Sequence, residues 1–92
     1  MTVSSLNVTT IIEFYVQSPA VVSMTIYDGG SVEIMRLLDR VEMDEGYQDV
    51  EFDASGLSTG VYIYKLTEEN LSPDGIRTGA VFTESRKMML IK

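Results

Sequence analysis

Seven carboxylates fall between residues 39 and 53: Asp39, Glu42, Asp44, Glu45, Asp49, Glu51 and Asp53. Calcium takes about 6–8 oxygen ligands, and a carboxylate-rich loop can supply them. The spacing fits no such loop, because Gly46 lies outside any Asp-x-Asp-x-Asp-Gly run. Asp49, Glu51 and Asp53 instead alternate with Val50 and Phe52, the pattern of a strand with one wet face. Two carboxylates could also cleave a glycosidic bond, but so short a chain has no insert from which to build a cleft.

The chain has no histidine and no cysteine. That excludes Ser-His and Cys-His nucleophiles, zinc sites and disulfides. Five tyrosines remain (Tyr15, Tyr27, Tyr47, Tyr62 and Tyr64), able to form an aromatic platform or simply to pack. Leu57-Ser58-Thr59-Gly60-Val61-Tyr62 reads as the approach to a tyrosine corner, in which the phenol bonds back to upstream backbone. Basic groups gather at the end: Arg86, Lys87 and Lys92 are three of the seven in a chain of net charge −7. Such an acidic balance argues against nucleic acid and against an anionic membrane surface. The six methionines are scattered, as gap-fillers in a core are. Asn7-Val8-Thr9 and Asn70-Leu71-Ser72 match the glycosylation sequon, which matters only in a eukaryotic secretory setting.

Ninety-two residues make one domain, 1–92, with one modest core. No apolar run is long enough to span a bilayer, and residues 1–5 have no leader pattern, so neither membrane insertion nor a signal peptide within the chain is expected. The periodicity predicts strands at 9–16, 20–27, 47–53, 61–66 and from about 80 to 91, the last bent near Glu84-Ser85. Residues 31–38 fit a helix or a strand. Asp28-Gly29-Gly30 before them, and strands on either side, favour strand. Residues 39–46 read as an acidic loop. Ser72-Pro73-Asp74-Gly75 marks a turn within 68–79. Six strands, turns every 8–15 residues and no helix predict an all-β, Ig-like antiparallel sandwich of about 6–8 strands. Its expected core is Ile12, Phe14, Val22, Met24, Ile26, Val50, Phe52, Tyr62, Tyr64, Leu66, Met88 and Leu90.

Two stretches carry a family resemblance. Residues 53–66, Asp-Ala-Ser-Gly-Leu-Ser-Thr-Gly-Val-Tyr-Ile-Tyr-Lys-Leu, are followed at the end by Glu84-Ser85-Arg86-Lys87-Met88-Met89-Leu90-Ile91-Lys92. Together they resemble the C-terminal sorting domains of type IX secretion cargo and the related Ig-like domain of flagellar hook-capping proteins. Ile26-Tyr27-Asp28 and Thr9-Thr10-Ile11-Ile12-Glu13-Phe14 are similar to that family's earlier strands. The likeness covers about residues 8–92, leaving 1–7 as a linker. It departs from the pattern in lacking the Asn-Pro pair before the first strand, in Gly30-Ser31-Val32-Glu33 after the second, and in an insert at about 70–79.

The resemblance implies a non-catalytic secretion and cell-surface attachment signal of a larger secreted bacterial protein, placed outside the outer membrane. Cargo domains would be joined N-terminally, and secretion or surface-attachment proteins would be the partners. The domain is expected to be a monomer without a cofactor. The residues it marks for recognition are Gly60, Tyr62, Arg86, Lys87 and Lys92. The alternative is a structural or adhesive Ig-like module, hook-cap-like or an accessory to carbohydrate binding.

Overall fold

A computed structural model describes residues 2–3 and 9–91. Seven strands make up the described chain: β1 (Thr2–Val3), β2 (Thr9–Val16), β3 (Ala20–Asp28), β4 (Glu33–Met43), β5 (Gly46–Asp53), β6 (Gly60–Leu71) and β7 (Arg77–Leu90). They form two sheets. One has the order β1-β7-β6-β3-β4 and the other is the pair β2-β5. The chain changes sheet at residues 17–19, at Asp44-Glu45 and again at 54–59, while β3–β4 and β6–β7 are hairpins. All pairings are antiparallel except the short β1–β7 pair, Thr2 with Met89 and Val3 with Leu90. This is an Ig-like sandwich in which a five-stranded sheet faces a two-stranded one.

Inward alternation builds the core between the sheets. Ile12 and Val16 of β2, with Phe52 of β5, meet Val22, Met24 and Ile26 of β3, Tyr62, Tyr64 and Leu66 of β6, and Met88 and Leu90 of β7. Phe14 and Val50, expected in this core, are only half-buried at its margin. Ala20 and Ala54 are fully buried where the chain crosses between the sheets.

The acidic stretch 39–46 is not a loop. Strand β4 continues to Met43, and only Asp44-Glu45 turn. A bulge at Asp39-Arg40 opposite Ser23 hides the strand in the sequence: Val22 pairs with Val41, yet Met24 pairs with Leu38. Arg40 takes φ 55° there, and its backbone N–H donates to Ser23 Oγ at 3.1 Å. The Asp28–Val32 turn is organised by one carboxylate. Asp28 Oδ1 accepts from Gly30 N (2.8 Å) and Val32 N (3.0 Å), with Ser31 at φ 66°.

The segment 70–79, expected as an insert, lengthens the last hairpin. Strand β6 runs to Leu71, and β7 starts at Arg77 rather than near Ala80. Gly75 N donates to Ser72 O (2.8 Å) and Ser72 N to Ile76 O (2.6 Å). Gly75 adopts φ 79°, so Pro73-Asp74-Gly75 is a three-residue hairpin loop closed by a residue that must be left-handed. Leu71 N donates to Pro19 O at 2.8 Å, which ties the hairpin's base to the β2–β3 corner. Thr2 and Val3, within the stretch read as linker, add a short strand to the sheet.

Candidate functional site

The two stretches that carry the family resemblance are neighbours in space. Gly60, Val61, Tyr62, Ile63 and Tyr64 pair in register with Leu90, Met89, Met88, Lys87 and Arg86. Tyr62 is buried, and its phenol donates to the Ser58 carbonyl at 2.6 Å. This is the tyrosine corner read from the sequence, lying where the chain returns from β5 to β6. Gly60 does not have a positive φ, and a Cβ there would meet only Tyr62 Cε2 at 3.9 Å. Its backbone makes no demand for glycine.

Alternation separates the basic residues. Lys87 and Met89 face outward from the sandwich, with Val61 and Ile63 beside them on the same sheet face, while Met88 and Leu90 fill the core. Arg86 takes the opposite side to Lys87, where its Nε donates to Glu84 Oε1 at 2.6 Å. The structure therefore brings Lys87 together with the outward apolar stripe and takes Arg86 away from it. Lys92 lies outside the described residues.

Arg86 and Glu84 border a groove of about 630 Å³. Residues 13–15 and Gln17 form one wall, Tyr64, Leu66, Glu68 and Asn70 of β6 the floor, and Phe82, Glu84 and Arg86 of β7 the other wall. The groove exists because the small sheet has only two strands. Beyond the edge of β2 nothing among the described residues covers the inner face of β7 from Phe82 to Arg86, so Phe82 stays 52% exposed, whereas Met88 and Leu90 further along are buried. Glu68 lies on its floor, only 6% exposed. No hydrogen bond or ion pair engages its carboxylate among the described residues, and its oxygens open to the groove instead of being sealed in the core. Burial, then the charge of Glu84, raise its pKa above 4.5. Tyr64, two inward positions along the same floor, is also raised, first by burial.

The outer face of the small sheet carries Tyr15 and Tyr47 in edge-to-face contact, centroids 4.9 Å apart and planes at 71°. Tyr47 is 82% exposed. Below them Glu13 pairs with Asp49 across the strands, like charges side by side. The other acidic residues disperse. Asp39 bonds Arg36 at 3.2 Å, and Asp53 Oδ1 accepts from Ser55 N at 2.9 Å. Among the described residues no three carboxylates converge on a point that could hold a metal ion.

No family model matches the chain, and neither a curated protein nor a solved structure does. The site residues thus rest on the geometry and on the sequence resemblance. Glu68 and the groove were missed in the sequence. A glutamate in Thr67-Glu68-Glu69 reads as solvated, and its only signal was the alternation Tyr62, Tyr64, Leu66 extended by one more inward position.

Proposed function

We propose that this domain is a non-catalytic Ig-like module that serves as the secretion and surface-attachment signal of a larger secreted bacterial protein. One observation carries the reading. The Gly60–Tyr64 and Arg86–Leu90 stretches, on which the family resemblance rests, are register partners in one folded unit. A signal that exists only when β6 and β7 pair would be read from a folded domain. Its readable surface is the outward side of the pair, Lys87 and Met89 beside Val61 and Ile63. Met89 is 47% exposed, so the stripe offers both charge and apolar area.

The test is a reporter joined to residues 1–92 in a bacterium with type IX secretion. Lys87→Glu combined with Met89→Ser changes the outward stripe and leaves the core untouched. Export should fall while circular dichroism stays that of the parent. Arg86→Ala, on the opposite face, should export normally. Normal export of the folded double variant would refute the reading.

The adhesive alternative has its own observation in the exposed Tyr15–Tyr47 pair. Binding to a glycan array that Tyr47→Ala abolishes would favour it.

A further inference from the structure

We propose that the free edge of β2 and the groove beneath it receive an extended segment of another protein, which adds as a strand and directs a lysine or arginine side chain to Glu68 and Glu84. This goes beyond the secretion reading and does not depend on it.

The edges of the molecule are not alike. Strand β4 is bulged at Asp39-Arg40 and lined with Arg36, Asp39, Arg40 and Glu42, features that discourage strand addition. Strand β5 carries Asp49, Glu51 and Asp53. Strand β7 is partly covered by β1. Among the described residues strand β2 has no such protection. Its register with β5 is unbroken from Thr9 to Val16, and it carries one charge, Glu13. The stretch lining the groove, residues 13–17, gives about 16 Å of extended backbone, enough for a short added strand.

The groove also states what should arrive. Its walls hold apolar surface from Phe14, Leu66 and Phe82, suited to one aliphatic side chain. Its charges are Glu13, Glu68, Glu84 and Arg86, so it is acidic on balance. Arg86 is already bonded to Glu84. Glu68 is more than nine-tenths buried, opens into the groove and has no bonded partner among the described residues. Its carboxylate oxygens reach the water of the groove but are poorly hydrated there, so a cation brought to them would be favoured. In a strand, side chains on one face recur every second residue. A segment with an aliphatic residue and a basic residue two apart would place both in the groove.

The probe is a blocked heptapeptide, acetyl-Thr-Val-Thr-Lys-Thr-Leu-Thr-amide, whose inward face is Val, Lys and Leu. Its control has Glu for Lys. Both are titrated into the full chain, read by amide chemical shifts and by isothermal calorimetry. The lysine peptide should bind, shifting the amides of residues 13–17 and those of Glu68 and Phe82, and the glutamate peptide should bind at least about tenfold more weakly. Glu68→Gln should weaken the lysine peptide by about tenfold while its own melting curve stays cooperative, and Lys87→Glu should leave binding unchanged. The proposal is overturned if the lysine peptide does not bind, if both peptides bind equally, or if the shifts map to the outer sheet face. A dimer of the free domain paired through β2 would overturn it too, since the edge would then serve a second copy.

Discussion

The hydrogen bond from Tyr62 to Ser58 separates what a phenol adds from what its ring adds. Tyr62→Phe removes the hydroxyl and keeps the ring in the core, where it packs with Met88 and Leu90 in one cluster. The lost bond is short, 2.6 Å, but Ser58 is exposed, so water can reach the abandoned carbonyl. The cost should therefore sit in the middle of the range for a single hydrogen bond, about 1 kcal/mol. In a domain of this size that lowers Tm by about 4–8 °C. Tyr62→Ala also empties a ring-sized space and should cost about 3–5 kcal/mol, a large share of a total of about 5–15 kcal/mol. Ser58→Ala should change nothing, because the acceptor is main chain. Urea titration monitored by circular dichroism reads all three. If Tyr62→Phe melts like the parent, the bond does not hold the corner. If it melts like Tyr62→Ala, the ring contributes nothing beyond the hydroxyl, and the packing argument fails.

Three further outcomes follow from the same geometry. The raised Glu68 pKa means the folded state holds that proton more tightly than the unfolded chain, so its stabilising effect is complete below about pH 4.5 and fades as pH rises through the folded value. Glu68→Gln should accordingly gain on the parent between pH 4 and pH 7 in paired urea melts, and a constant difference across that span would refute it. Phe52→Ala, at 1% exposure, should cost about 3–5 kcal/mol in the same assay. Ser31→Gly should stabilise by about 0.5 kcal/mol, because the relief of a left-handed residue, about 1–2 kcal/mol, outweighs glycine's extra chain entropy of about 0.5–1 kcal/mol. A lower melting temperature would count against that balance.

Where one face of a strand is wet and the other dry, the residues announce it. Val50 and Phe52 between acidic neighbours, and Tyr62, Tyr64 and Leu66 in β6, were legible for that reason. Strand β4 was not. It pairs with β3 alone, its residues are largely exposed, and the bulge at Asp39-Arg40 interrupts the period of two. Its charges belong to an edge, and edge charges look like loop charges. Ala54 lies between strands, and its burial comes from the path of the chain between the sheets, which no local pattern encodes. The tyrosine corner could be read because it is built within five consecutive residues. The groove could not, because it depends on which strands the small sheet lacks. The separation of Arg86 from Lys87 follows from strand alternation alone, once their segment is known to be a strand.

The parallel pairing of Thr2 with Met89 and Val3 with Leu90 sets the first and last described strands side by side and pointing the same way. Force applied to the two ends would pull β1 backward and β7 forward along their shared axis. Their hydrogen bonds would then bear the load together, in shear, instead of opening one after another like a zip. Resistance to such a pull is a matter of unfolding rate rather than of equilibrium stability. In the attachment role proposed above the load would run in just this way, and the clasp that would take the strain is two residues long.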